Sequence, residues 1–123
     1  MMVNAKYKKI NFEDTTRFSK NGVDFVGYSP INKNMSFVVE TVSEWHFEEF
    51  LHERSVFTYI FLEGKGIFYL NDEPVDVKAG DVLSIDPWTR IYYKWNLKQI
   101  LITTPAYDSK YEKHIRDIDV TKI

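Results

Sequence analysis

The chain has 123 residues, of which 44% are hydrophobic and 16% aromatic, and its 16 basic and 18 acidic residues give a formal net charge of −2. This balance leaves no electrostatic footprint for nucleic acid, and the absence of cysteine excludes disulfides, thiolate catalysis and cysteine-ligated zinc. No apolar run suits a signal peptide or a membrane span. We therefore expect one cytoplasmic domain over residues 1–123 that does not bind membranes.

The first third of the chain predicts an arm, a hairpin and a strand. Residues 1–17 are charged and weakly periodic, with one edge strand expected at 6–12. Asn21-Gly22 is a hairpin signal, since both central residues of a type I′ turn need positive φ. The β-branched run at 35–42 predicts a strand. Residues 43–54 fit either helical or strand spacing, and we interpret them as an irregular segment that leads into a strand.

The middle of the chain predicts a series of short strands. A strand at 55–64 ends at Gly64 and returns at 66–71, and further strands follow at 75–80, 81–86, 90–95 and 99–104. Glycine, proline, asparagine and aspartate separate them at short intervals, which is typical of an antiparallel sandwich or barrel. After Pro105 the pattern changes. Ser109 and Glu112 form a capping box, which predicts a short C-terminal helix at about 110–117.

The order of turns in FLEGKGIFYLNDEPVDVKAGDVLSIDP resembles the cupin family, with Leu62-x-Gly64, a hairpin, Gly80-Asp81 and then Pro87. The resemblance covers about residues 35–105 and places the N-terminal arm at 1–17 and a helical tail at 106–123. It implies an all-β fold, an antiparallel β-barrel or jelly roll. Small cupins commonly pair through sheet faces or exchanged strands, so it also implies a homodimer.

The resemblance also implies positions for the metal ligands of the family. They fall at Phe50, His52, Phe57 and Tyr92, so one ligand of four remains. A single imidazole does not hold a divalent ion in a site that needs three or more protein ligands. We therefore expect no metal and no cofactor. One alternative is an atypical site built around His52 from nearby side chains, namely His46, Glu48, Glu49 and Glu53.

Strand alternation from those positions predicts the lining of the lumen. Phe57 and Tyr59 would face inward on one strand, and Arg90 and Tyr92 on another, as ligand-binding residues. His52 is the candidate acid or base, because its unperturbed pKa lies near neutrality, and Tyr92 is its candidate catalytic partner. The structural alternatives stay open: a buried histidine satisfied by backbone, core tyrosines, and a solvated arginine.

Three functions are compatible with this pattern. The first is a metal-free barrel that binds a small polar molecule, such as a sugar derivative, and we favour it. The second is a metal-free isomerase or epimerase that transfers protons through His52 and a tyrosine. The third is a metal-dependent cupin of dioxygenase type with atypical ligands. Whether the protein is an enzyme is left open by the sequence.

Overall fold

A computed structural model describes residues 5–28, 31–119 and 121 of the chain. Ten strands follow one another: β1 Thr16–Lys20, β2 Val23–Gly27, β3 Ser36–Val42, β4 Glu48–His52, β5 Val56–Leu70, β6 Glu73–Lys78, β7 Val82–Ile85, β8 Ile91–Lys94, β9 Leu97–Thr104 and β10 Glu112–Asp117. The helical segments in the described residues are two 3₁₀ turns, Phe12–Asp14 and Ser109–Tyr111. None of the helices in these residues is long and apolar enough to cross a membrane.

The strands form two antiparallel layers that share β5. The first half of β5 pairs with β9 and β7, and the chain of pairs continues from β9 to β3, β2 and β1. The second half of β5 pairs with β6 and β8, and β8 leads to β4 and β10. The predicted all-β jelly roll is confirmed, and strands β3 to β9 span residues 36–104.

The N-terminal part confirms the hairpin and corrects the arm. Asn21 and Gly22 have φ of 53° and 84°, and they connect β1 to β2 in the register that pairs Lys20 with Val23. The edge strand predicted at 6–12 is wrong, because the first strand begins at Thr16. Residues 1–4 of the predicted arm lie outside the described residues.

The predicted strand end at Gly64 is also wrong, because β5 continues through this residue as one strand of 15 residues. Gly64 adopts φ of 83° beside a register shift between Phe61 and Glu63. Such a bulge bends a strand without ending it. The bend lets β5 leave one layer and enter the other, and this places both layers around a common interior.

Replacing Gly64 by alanine is expected to destabilise the fold by roughly 2–6 kcal/mol, the sum of left-handed strain and overpacking. A Cβ there would lie 1.9 Å from the Asn96 carbonyl oxygen. Gly80 is a matched control, because it has φ of 96° but no atom within 4 Å of an added Cβ. Gly80→Ala should therefore cost only the strain, ~1–3 kcal/mol. Urea unfolding of both variants checks this, and equal losses would contradict it.

The C-terminal helix predicted at 110–117 is wrong, since residues Glu112–Asp117 form β10. The turn before it is capped by Asp108, whose carboxylate accepts the Lys110 N–H, and not by Ser109. β10 pairs with β4, and Arg116 binds Glu49 instead of Glu112 one helical turn away. Tertiary pairing with the free edge of β4 therefore overrides the local helix signal.

Candidate functional site

A cavity of about 420 Å³ lies between the two layers, and most of its surface is apolar. Strands β1, β2, β3, β9 and the first half of β5 form one wall, and β4, β8 and the start of β10 form the other. Alternation along β5 turns Phe57 and Tyr59 toward the interior, where both are buried. The polar or charged side chains at the cavity wall are Thr16, Lys20, Asn21, Ser36, Glu40, His46, Glu48, Tyr59, Tyr93, Thr103, Tyr107 and Glu112.

His46 lies in this cavity just before β4. Its ring stacks on Tyr93, with centroids 4.7 Å apart and planes at 11°, and meets the edge of Phe50 at 5.2 Å. Within the described part of the chain its Nδ1 atom has no hydrogen-bond partner. Burial lowers the pKa of His46 to about 4, although the Glu48 carboxylate acts in the opposite direction. The imidazole is therefore neutral at pH 7 and able to accept a proton.

Two buried tyrosines face the same cavity. The rings of Tyr59 and Tyr93 lie 6.0 Å apart in an edge contact. The Tyr93 hydroxyl donates to Glu40 Oε1 at 3.3 Å, while the Tyr59 hydroxyl has no hydrogen-bond partner among the described residues. Burial, followed by the charge of Glu40, raises the pKa of both phenols well above 10. Both side chains therefore remain protonated donors at any physiological pH.

A second group of charges joins β1, β4 and β10 at the cavity. Lys20 Nζ lies 4.0 Å from Glu112 Oε2. Glu48 accepts a hydrogen bond from Asn21 Nδ2 at 3.0 Å and contacts His114 Nδ1 at 2.6 Å. Burial raises the pKa of Glu112, against the influence of Tyr107 and Lys20. These contacts connect the first hairpin to the opposite wall of the cavity. They also place the Lys20 ammonium group near the carboxyl groups of Glu48 and Glu112.

The structure places two of the five predicted site residues in the cavity. Phe57 and Tyr59 line it, whereas Arg90 and Tyr92 do not. Tyr92 lies on the other face of β8, stacked on Tyr69 at 4.7 Å, and the inward position belongs to Tyr93. The cavity position predicted for Tyr92 is thus wrong by one residue, and a slip of one residue reverses every side chain of a strand.

Arg90 belongs to the same outer face as Tyr92. Its guanidinium binds the buried Glu49 carboxylate at 3.3 Å and the exposed Asp72 at 2.9 Å. Arg116 holds the other Glu49 oxygen at 2.9 Å. Arg90, predicted to bind a ligand, is therefore engaged by carboxylates of the protein itself, and this group of charges joins β4 to β10 and to the β5–β6 turn.

His52, the predicted acid or base, is buried but does not line the cavity. Its Nδ1 accepts the backbone N–H groups of Arg54 at 3.2 Å and Ser55 at 2.9 Å. Its Nε2 contacts the Asp108 carbonyl oxygen at 3.1 Å, so this nitrogen carries the hydrogen. Burial lowers the pKa of the ring. Both nitrogens thus stabilise the turn after β4, which leaves neither available for a ligand.

The donor set does not fit the metal that the fold family implies. Phe50 and Phe57, at two of the ligand positions that the resemblance implies, carry no donor atom. Tyr92 does not line the cavity, and both nitrogens of His52 are engaged. Across residues 5–28, 31–119 and 121, no group of three or more histidine and carboxylate side chains is arranged to hold an ion. The cavity instead offers proton donors and acceptors of its own.

The sequence contained a signal for the residues that were missed. His46, Glu48 and Phe50 fall at two-residue steps on one face, and all three line the cavity. Extending the strand phase of Phe50 toward the N-terminus selects His46 as the inward histidine. Glu40 follows from β3 in the same way, since Val38 and Glu40 both face the cavity.

Comparisons with known proteins agree with this architecture. Pac13, a nucleoside dehydratase, superposes with a TM-score of 0.90 at 36% identity, covering 96% of this chain and 98% of that one. Uridine-containing structures of Streptomyces Pac13, in which a histidine is replaced by glutamine or one of two tyrosines by phenylalanine, match at 34–35% identity with TM-scores of 0.87–0.90, covering 96–98% of this chain and 98% of theirs.

A more distant structure shares the fold alone: KdgF from Halomonas sp., with a TM-score of 0.70 at 12% identity over 87% of this chain and 99% of that one. A search of curated proteins finds no match. The family model described as a cupin domain matches residues 37–100. With this match, the shared β5 and the cavity between its two layers, the chain belongs to the cupin family.

Proposed function

We propose that the cavity binds a nucleoside and that the protein catalyses the loss of water from its sugar. The observation that carries the proposal is the arrangement of His46, Tyr59 and Tyr93 around one cavity. In the Pac13 variants with uridine, the substituted histidine and tyrosines are separated by 13 and then 34 residues. His46, Tyr59 and Tyr93 have the same two separations in this chain.

The cavity has the size and surface that a nucleoside needs. Its volume of about 420 Å³ lies within the ~300–1,000 Å³ typical of small-molecule sites. Phe18 and Phe25, stacked with centroids 4.7 Å apart, and Phe57 supply flat apolar surfaces. Stacking of a base on an aromatic side chain contributes roughly 1–3 kcal/mol. His46 and Tyr93 lie on the β4 and β8 wall and Tyr59 faces them from β5, so these polar groups would meet the sugar.

Loss of water requires a base that removes a proton from carbon and an acid that protonates the departing oxygen. His46 is the base, because it is neutral at pH 7 and its Nδ1 lacks a protein partner in the described residues. Once protonated, the imidazolium is stabilised by the nearby Glu48 carboxylate. A neighbouring carbonyl makes a C–H more acidic, and proton abstraction next to a carbonyl is an established reaction class, which favours nucleosides with an oxidised sugar carbon.

Tyr93 and Tyr59 supply the hydrogen-bond donors. Tyr93 stacks on His46 and is therefore next to the base, where its hydroxyl protonates the leaving oxygen as the C–O bond breaks. Tyr59, whose hydroxyl is unpaired among the described residues, donates to a second oxygen of the sugar. Both tyrosines are buried, and donors fixed in a buried site before the reaction stabilise developing charge more strongly than water does.

The proposal is tested by titrating the protein with uridine in a calorimeter and then incubating it with nucleosides, including ones with an oxidised sugar carbon. We expect saturable uridine binding and a product lighter by one water in the mass spectrum. Binding without any dehydration would leave the simple binding barrel predicted from the sequence. No binding and no turnover would overturn the proposal.

The other functions predicted from the sequence receive less support. An isomerase or epimerase that uses His52 needs a free imidazole nitrogen, and both are engaged. A metal-dependent cupin needs ligands that the cavity does not offer. The homodimer and the cytoplasmic location remain predictions.

A further inference from the structure

Behind Tyr93 lies a buried carboxyl group that the dehydration scheme does not use. Glu40, on β3, is 2% exposed. Its Oε1 accepts the Tyr93 hydroxyl at 3.3 Å and the amide Nε2 of Gln99 at 2.8 Å. Gln99 is the direct cross-strand neighbour of Glu40 on β9 and is itself fully buried. In the described part of the chain no cation forms an ion pair with this carboxyl group.

We propose that Glu40 is a positioning residue that acts through Tyr93: as a neutral carboxylic acid it holds the phenol and replaces the proton that Tyr93 gives to the departing hydroxyl group. This inference rests on the proposed function and extends it by one residue. A carboxyl group carries its proton on either oxygen. Oε1 of Glu40 can therefore accept the hydrogen of the Tyr93 hydroxyl or donate its own hydrogen to the Tyr93 oxygen.

The need for such a group follows from the burial of Tyr93. Burial and the charge of Glu40 both make the phenol a poor acid, and a phenolate next to a carboxylate in a dry site is doubly unfavourable. A neutral Glu40 removes the repulsion between carboxylate and phenolate. It also supplies a proton to Tyr93, so no buried phenolate has to persist.

The surroundings of Glu40 favour its neutral form. Burial raises its pKa to about 7, against the hydrogen bonds from Gln99 and Tyr93, and the charge of Glu112 acts in the same direction as burial. The other titratable groups around the cavity are His46, Glu48, Tyr59 and Lys20, together with Tyr107. Near pH 7 Glu40 is thus still partly protonated while His46 is neutral, and two titratable groups shifted in opposite directions are the usual source of an acid and a base in one site.

The atoms balance in one cycle. His46 takes a proton from the sugar carbon. The electron pair of the broken C–H bond forms the C=C bond, and the neighbouring C–O bond breaks. The departing hydroxide takes the Tyr93 proton and leaves as water, while Tyr93 takes the Glu40 proton. The resulting carboxylate keeps the Gln99 hydrogen bond. The imidazolium then releases its proton to solvent, and Glu40 takes one back, so the net reaction is loss of one water.

The test is the pH dependence of kcat for nucleoside dehydration in the wild-type protein and in Glu40→Gln. The amide keeps the shape and the hydrogen bonds of the neutral acid but transfers no proton. We expect Glu40→Gln to lower kcat roughly 10²-fold with the dissociation constant of uridine changed less than about threefold. We also expect the wild-type kcat to fall as pH rises through about 7, and this limb to be absent from the variant.

The outcomes separate this inference from the proposed function. If the wild-type protein dehydrates a nucleoside and Glu40→Gln keeps its kcat, or loses kcat but keeps the descending limb, the inference is wrong and the proposed function stands. If the variant does not fold, a wild-type kcat without a descending limb near pH 7 still overturns the inference. If the wild-type protein shows no turnover, both fall together.

Discussion

Replacing His46 by glutamine is expected to lower kcat for nucleoside dehydration by roughly 10²–10⁴-fold, the usual contribution of a general base. Glutamine fills most of the volume of the ring and retains a hydrogen-bond acceptor, but it does not take up a proton. Uridine affinity should change by no more than one hydrogen bond, ~0.5–1.5 kcal/mol. Steady-state kinetics with a calorimetric uridine titration of the same preparation measure both quantities.

His52→Asn is the matched control for this experiment. The asparagine oxygen lies where Nδ1 of His52 accepts the N–H groups of Arg54 and Ser55, but the contact with the Asp108 carbonyl is lost. We expect a stability loss of ~1–3 kcal/mol, the cost of one buried group left unpaired, and an unchanged kcat per folded molecule. A large loss of kcat in His52→Asn with normal turnover in His46→Gln would reverse the assignment of the two histidines.

Glu40 and His46 are also expected to give the stability of the fold two opposing dependences on pH. The pKa of Glu40 is raised from 4.5 to about 7, so the folded state binds a proton that the unfolded state releases, and stability falls as pH rises from 4.5 to 7. The pKa of His46 is lowered from 6.5 to about 4, so stability falls as pH decreases from 6.5 to 4. Each effect amounts to ~3 kcal/mol, and between pH 4.5 and 6.5 they oppose one another.

Single variants separate the two effects. Relative to the wild-type protein, Glu40→Gln should gain ~3 kcal/mol between pH 4.5 and 7, and His46→Gln should gain ~3 kcal/mol as pH decreases from 6.5 to 4. Urea unfolding at several pH values measures the difference in unfolding free energy between each variant and the wild-type protein. The contributions of the other titrating groups are the same in both proteins and cancel in this difference. Curves that stay parallel to the wild-type curve would show that neither group is perturbed by burial.

Most strands of this fold could be predicted from local pattern, because their inward and outward faces alternate in polarity. The register of β8 could not. Counting from Pro87 assumes an extended chain up to Tyr92, but Trp88 has φ of 70°, and the turn around it does not preserve alternation. The aromatic pair Tyr92-Tyr93 offers no polarity difference to correct the count, so the sequence selects the wrong tyrosine.

The C-terminal tail shows a different limit. Its capping box and the spacing of Glu112 and Arg116 are consistent with a helix, each worth a few tenths to about one kcal/mol. The free edge of β4 offers a strand partner, and the buried Glu49 needs a second cation. The strand partner and the buried carboxylate both lie 60 or more positions away in the sequence, so no local pattern contains them.

The central claim is that a nucleoside occupies the cavity between the two layers, and a crystal structure of the protein soaked with uridine tests it most directly. We predict density for uridine inside the cavity, with the sugar beside His46 and hydrogen-bonded to the hydroxyl groups of Tyr59 and Tyr93. Uridine bound outside the cavity, or an empty cavity at a concentration that saturates the calorimetric titration, would contradict the account.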